Sequence, residues 1–297
     1  MNEYVISTCT SADMTKEKFE ARNVEYCNFH YEMDGVTYPD DLFQTMSLEE
    51  FYGRIAKGAD VKTSQINVDE FCNYFESFLK EGKDIIHLSL SSGISGVSNS
   101  AIVAANMMKE KYPDRKIYAF DSLCASSGMG LLVDKLCDLR DEGKSIDELA
   151  EFTEAHKKEL QHWFFCTDLT AFIKGGRVTK TAGFIGTVMN ICPLLHVDHE
   201  GKLIPMEKVR TKKKCFKRVV EKMEQYCQNG LDYADKVFIS NSYCPEDAQA
   251  VADLIREKFP KVKDIEIYSI GSTIGCHTGI GTTALFFWGS ERCASDS

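Results

Sequence analysis

Long apolar runs are missing from this chain: nothing in its 297 residues approaches the ~20 consecutive apolar positions of a membrane-spanning helix. Positive charge is also in deficit. Thirty-five Lys and Arg stand against 45 Asp and Glu, a net charge of −10, which argues against general binding to nucleic acid or to an anionic membrane surface. The start, MNEYVISTCTSADM, has neither a basic cluster nor an apolar core and does not read as a secretory signal. Twelve cysteines are present, yet there is no CxxC pair and no Cys/His group at zinc-ligand spacing. They read as buried or idle thiols of a reducing compartment, and no metal is expected. The dinucleotide-binding glycine pattern, the nucleotide phosphate loop and the serine-hydrolase elbow are all absent, as are repeats, low-complexity tracts and long linkers. A soluble cytoplasmic protein is expected, with one large α/β domain or two smaller ones.

What is present centres on residues 84–106, DIIHLSLSSGISGVSNSAIVAAN. Ile85, Ile86, Leu88 and Leu90 form a short apolar run suited to a buried parallel strand. Ser91, Ser92, Gly93, Ser95 and Gly96 follow around Ile94. A helical pattern then begins, with Ser98 or Asn99 as its N-cap. A strand, a small-residue turn and a helix start put backbone N–H groups and hydroxyls at the carboxyl edge of a sheet, where open α/β sheets bind ligands. A serine-rich turn without a ligand fits the same residues equally well.

Around this stretch the chain alternates. Strands are predicted at residues 4–7, 24–31, 116–120, 194–197, 203–209, 237–240 and 265–270. Met33-Asp34-Gly35-Val36 reads as a hairpin turn, and Ser47 with Glu50 as a capping box opening a helix to about Ala56. Lys62-Thr63-Ser64-Gln65 is read as a polar loop before an amphipathic helix carrying Phe71, Phe75, Phe78 and Leu79. Helices are predicted over 126–139 and 146–160, and another ends at Gly175-Gly176-Arg177. Asp198-His199-Glu200-Gly201 is a hairpin signal. The alternation predicts a parallel sheet covered by helices on both faces, with a domain boundary near residue 160, giving domains 1–160 and 161–297. Lys208, Arg210, Lys212, Lys213, Lys214, Lys217 and Arg218 stand opposite Cys215, Phe216, Val219, Val220 and Met223. They read as the solvated side of an amphipathic helix, with a docking patch for an acidic partner as the alternative.

Candidate chemistry is sparse at the level of local spacing. His87 falls in a strand, and His156, His162, His196 and His199 in polar or mixed stretches; all five read as structural or exposed. His277 stands in the glycine-rich run Gly275-Cys276-His277-Thr278-Gly279-Ile280-Gly281, where a side chain could be presented, and is read equally as a turn histidine. Arg177, after two glycines, could meet an anion bidentately or simply bond the surface. Phe172, Ile173, Phe184, Ile185, Val188 and Met189 suit either the lining of an apolar tunnel or ordinary core. A stand-alone acyl hydrolase using Ser95 and His277 is the enzymatic alternative, without an acid partner to support it.

Five separated segments together resemble the DegV family. They are residues 8–14 with Tyr38-Asp40; Thr63-Ser64-Gln65; Leu90 to Gly96; Lys174-Gly175-Gly176-Arg177 running on to Cys192-Pro193-Leu194-Leu195, Glu200-Gly201-Lys202 and Val209-Arg210-Thr211; and His277 to Gly281. The resemblance implies two α/β domains with one long-chain fatty acid in a tunnel between them. It implies that Thr63 and Ser95 hold the carboxylate, supported by Ser64, Ser92, Gly93 and Gly96, and that Arg177 and His277 lie at the mouth. It further implies a non-catalytic, cofactor-free subunit that presents the carboxylate to a separate kinase subunit for acyl-phosphate formation. The chain departs from the family's usual pattern at Cys9, where aspartate is customary, at Ile66 and Ile280 in place of prolines, and at Val97 in place of threonine.

Overall fold

In the computed structural model, residues 3–179 and 191–292 are described. The predicted lining residues Phe184, Ile185, Val188 and Met189 lie outside them. The chain opens with β1 (Tyr4–Cys9), α1 (Lys16–Ala21), β2 (Val24–Cys27), β3 (His30–Met33), β4 (Val36–Pro39), α2 (Leu48–Ala56), β5 (Val61–Ser64) and α3 (Val68–Lys80). Then come β6 (Asp84–Ser89), α4 (Val97–Lys111), β7 (Ile117–Asp121), α5 (Ser127–Asp141) and α6 (Ile146–His156). The remainder is β8 (Leu160–Phe165), α7 (Thr170–Lys174), β9 (Ile191–Val197), β10 (Leu203–Arg210), α8 (Lys212–Tyr226), β11 (Lys236–Asn241), α9 (Pro245–Lys258), β12 (Asp264–Ser269), α10 (Ser272–Thr278) and β13 (Thr283–Trp288).

These strands make three sheets. The first is parallel, in the order β2-β1-β6-β7. Every residue of β6 is buried, as suits a central parallel strand: Ile85, Ile86 and Leu88 pack on its two faces, and Asp84, His87 and Ser89 are buried with them. Helices cover both faces: Phe71, Phe75, Ala101 and Ala104 pack on one side, and Phe19, Leu132 and Leu149 on the other. The second sheet is mixed, in the order β10-β9-β8-β13-β11-β12, with only β11 and β12 parallel. Helix α5 packs against strands of both sheets, which is why ten of its fifteen residues are buried. A single apolar core therefore runs from Ile6 and Leu88 through α5 to Phe238 and Phe286.

The third sheet, β4-β3-β5, is small and antiparallel, and it corrects two readings of the sequence. The strand expected over 24–31 is two strands, of which only β2 stays in the parallel sheet. The polar loop expected at 62–65 is β5, an edge strand paired only with β3, whose residues alternate between half-buried and exposed. An edge with one wet face tolerates Lys62 and Ser64, so its composition looks like a loop. The β3–β4 turn is as expected, with Asp34 and Gly35 at φ 53° and 82°. Ser47 caps α2 by accepting from Glu50 N–H, one of the two hydrogen bonds of the expected capping box. Asn67 with Glu70, and Ser145 with Glu148, form full capping boxes on α3 and α6. The helix after the Ser/Gly turn starts at Val97 on Gly96, not on Ser98 or Asn99. The basic stretch is only partly helical: Lys208 and Arg210 lie in β10, while the residues from Lys212 onward form α8, whose Cys215, Val219, Val220 and Met223 are buried; Arg218 and Lys222 pair with Glu207, and Lys212 with Asp247. Among the described residues no helix is long and apolar enough to cross a membrane.

Candidate functional site

Four elements remote in sequence converge on one cavity of about 740 Å³ of unfilled space, counted out to its mouth. Its walls are mostly apolar: Phe29, Leu90 and Ile94 come from the first part of the chain, and Phe164, Phe172, Val197, Leu203, Ile270 and Phe286 from the second. Thr63, Ser95, Arg177 and His277 all line it. So does the predicted lining residue Phe172; its neighbour Ile173 packs against the main core instead.

Strand β5 holds Thr63, whose Oγ1 lies 2.8 Å from His277 Nε2. His277 is not in a loop, as the glycines around it suggested, but in the last turn of α10, which Gly279 ends at φ 64°. Burial, followed by the charge of Arg177, lowers the His277 pKa to about 4, so the ring is neutral at pH 7. Its Nδ1 is buried without a hydrogen-bond partner and faces Gly175. A β-carbon at Gly175 would stand 2.3 Å from that nitrogen, so only glycine lets the chain close over the ring.

Arg177 follows at once. Its Nε donates to Ile94 O at 3.1 Å and its Nη1 to Gly175 O at 2.5 Å, and burial lowers its pKa. Among the described residues no carboxylate pairs with it. Ser95 sits next to the Ile94 carbonyl that Arg177 holds; its Oγ accepts from Val97 N–H at 3.3 Å, opening α4. The cavity therefore ends in two hydroxyls, a neutral imidazole and a guanidinium without a counter-ion, all on an apolar body. Such an end suits one carboxylate, which cannot enter an apolar space without donors.

The other residues of the Ser/Gly turn do something different. Ser91 Oγ donates to Gly201 O at 2.9 Å, and Gly93 N–H donates back to Ser91 Oγ at 3.1 Å. A β-carbon on Gly93 would fall 2.5 Å from the Gly201 carbonyl group. The β9–β10 turn is shaped for this contact, since Asp198 accepts from the N–H groups of Glu200 and Lys202 and Gly201 takes φ 75°. Ser64, Ser92 and Gly96 are exposed and do not line the cavity.

Compared with known proteins, residues 4–289 match the model of the DegV family, described as "Uncharacterised protein, DegV family". The chain belongs to the DegV family. It is 37% identical over 292 residues to the DegV domain-containing protein CPE0026 of Clostridium perfringens, covering 98% of this chain and 99% of that one. Among solved structures it is similar to the hypothetical protein TM841 of Thermotoga maritima, described as revealing a fatty-acid-binding function (TM-score 0.84, 25% identity, 98% and 100% of the two chains). It also shares the fold of the Streptococcus pneumoniae fatty acid kinase (Fak) B3 protein loaded with linoleic acid (TM-score 0.81, 22% identity, 98% and 100%). The two-part α/β architecture read from the sequence is thus that of the DegV proteins.

Several residues of this DegV site escaped sequence reasoning. Ser126 and Thr273 line the cavity and are each held by a buried aspartate. Asp13 accepts from Ser126 Oγ and, at 2.9 Å, from Gly271 N–H; Asp40 accepts from Thr273 N–H at 3.1 Å. Burial raises the pKa of both carboxyls. Ser126 is kept at φ 55°, ψ −151°, a costly conformation for a residue with a side chain, by its bonds to Asp13 and Ser240. The signal was there: Asp13 and Asp40 lie inside the segments that carried the family resemblance. His162, read as structural or exposed, is the structural case: it is buried at the cavity wall, donating from Nδ1 to Leu160 O and accepting from Ala125 N–H. Nothing favours the hydrolase reading, because His277 bonds Thr63 rather than Ser95 and has no acid on its other nitrogen among the described residues.

Proposed function

We propose that this DegV protein binds one long-chain fatty acid, with the acyl chain in the apolar cavity and the carboxylate at Thr63 and Ser95. The observation that carries the reading is the half-buried Arg177, without a carboxylate partner among the described residues, beside the hydroxyls of Thr63 and Ser95 in a mostly apolar cavity. Burying the methylenes of a membrane-type fatty acid at ~0.8 kcal/mol each is worth on the order of 10 kcal/mol before ordering costs. His277 Nε2 and Thr63 Oγ1 share a hydrogen bond of 2.8 Å, and in the tautomer with the proton on Nε2 the threonine O–H is free to donate to the carboxylate. TM841, of the same fold, is described as a fatty-acid-binding protein, which supports the same ligand class here.

The carboxylate is held rather than transformed. Among the described residues no nucleophile, base and acid stand in line, which supports a carrier role: the protein offers the carboxylate to a separate fatty-acid kinase subunit. Arg177, at the same end of the cavity, would meet the negative charge that grows during phosphoryl transfer. The test is denaturing extraction and mass spectrometry of the purified protein, followed by loading with fatty acids of graded length. One fatty acid per chain is the expected result. A protein that is isolated empty and takes up none removes the proposal. Acyl-phosphate formation with a fatty-acid kinase subunit then tests the partnership separately.

A further inference from the structure

Beneath Phe29 and Leu90 of the cavity wall, where β1, β2 and β6 lie side by side, three side chains meet that no spacing in the sequence relates. Parallel pairing of β1 with β2 sets Cys9 opposite Cys27, and pairing of β1 with β6 brings His87 alongside. The sulfurs are 3.8 Å apart, Cys9 Sγ is 3.7 Å from His87 Nε2, and all three atoms lie within 4.8 Å of one another. Tetrahedral zinc, with bonds of about 2.3 Å to sulfur and 2.0–2.1 Å to nitrogen, separates its ligand atoms by about 3.5–3.8 Å. Two of the three separations match, and the third closes with a shift of Cys27 Sγ of about 1 Å, within reach of a side-chain rotation.

The histidine is set up as a ligand. Its Nδ1 is 2.6 Å from Ser7 Oγ, which in turn receives Tyr74 Oη at 3.3 Å, while Phe71 and Phe75 hold the ring edge-on. A proton fixed on Nδ1 leaves the Nε2 lone pair facing the two sulfurs, the arrangement that metal-bound histidines use. Cys27 also lines a surface groove with Glu20, Glu25, Asn28 and Tyr74, which gives an ion a way in and water a fourth position.

We propose that Cys9, Cys27 and His87 form a binding site for a thiophilic divalent cation of the zinc class. Two thiolates and an imidazole select such ions over magnesium or calcium, which prefer oxygen. Each thiol gives up its proton to solvent on binding and no electron moves. The ion ties β1, β2 and β6 together beneath Leu90 and Phe29, so this chain's departure at Cys9 from the family's customary aspartate turns that position into a cross-link. Sequence reasoning expected no metal because the three ligands are separated by 18 and 60 positions and only the sheet assembles them.

The test is a titration of the reduced full-length protein with cobalt(II), after a thiol count in denaturant confirms that all twelve cysteines are free. Thiolate-to-cobalt charge-transfer bands and tetrahedral visible bands should appear at one equivalent, and zinc should displace them. Cys27→Ser, at the groove, should weaken cobalt binding at least tenfold, and Ser7→Ala should weaken it about 10–100-fold through the histidine. Cys72→Ser, a cysteine outside the cluster, should change nothing. Absence of the bands in a folded, fully reduced protein overturns the proposal. Bands that survive Cys27→Ser overturn it as well.

Discussion

Replacing Thr63 with valine keeps the shape of the side chain and the strand preference of β5 while removing one hydroxyl. In the free protein the loss is a single hydrogen bond, 2.8 Å long, to His277 at a half-buried position, worth about 1 kcal/mol of stability. In the fatty-acid complex the same hydroxyl donates to a charged group, and such bonds are worth about 1.5–3 kcal/mol. At about 1.4 kcal/mol per tenfold, the dissociation constant should rise about 10–150-fold. Displacement of a fluorescent fatty acid by unlabelled acid measures it. The fatty alcohol of the same chain length is the control, because it fills the apolar walls without bringing an anion. The preference for acid over alcohol should shrink in Thr63→Val, while alcohol affinity changes little. An unchanged acid-to-alcohol ratio in both Thr63→Val and Ser95→Ala would mean that the carboxylate does not sit between these hydroxyls, and the orientation argued from Arg177 would fall with it.

Other substitutions probe the neighbouring contacts. Arg177→Ala removes the unpaired guanidinium beside the carboxylate and should weaken fatty-acid binding about tenfold or more, and should depress acyl-phosphate formation by a kinase subunit further still as charge grows; unchanged fatty-acid affinity would place the carboxylate away from the arginine. Gly175→Ala drives a methyl group against His277 Nδ1 and should reproduce much of the Thr63→Val loss of affinity without touching any group of the ligand. Gly201→Ala combines a φ of 75° with a β-carbon 1.9 Å from Ser91 Oγ, and should cost about 2–3 kcal/mol in chemical denaturation. His196 and His277 have pKa values lowered to about 4 by burial, so between pH 4 and 6.5 the unfolded chain binds more protons than the folded one. Their contribution to stability is present above pH 6.5 and is lost as the pH falls toward 4. The raised carboxyls of Asp13 and Asp40 act in the opposite sense, so the clean readout is a difference: His196→Gln should flatten the fall in stability between pH 6.5 and 4.5, and an unaltered slope would contradict the assignment.

The sequence by itself determined whatever depends on neighbours a few residues apart. The β3–β4 turn follows from Asp34-Gly35, the start of α2 from Ser47, and the burial of β6 from Ile85, Ile86 and Leu88. The order of the motifs also identified the family, and with it the four residues that meet at the cavity. Three things were decided only in the tertiary structure. Thr63 belongs to a strand because β3 supplies the partner that a polar edge segment cannot supply for itself. His277 closes a helix and bonds a residue 214 positions away, so its low pKa and its partnership with Thr63 follow from burial that no local pattern encodes. The Cys9–Cys27–His87 cluster exists because parallel strands place side by side residues whose sequence separation reflects the crossover helices between them. Local spacing carries turns and caps, whose hydrogen bonds close within a few residues; sheet pairing and burial join distant positions, and both the cavity and the Cys9–Cys27–His87 cluster are made that way.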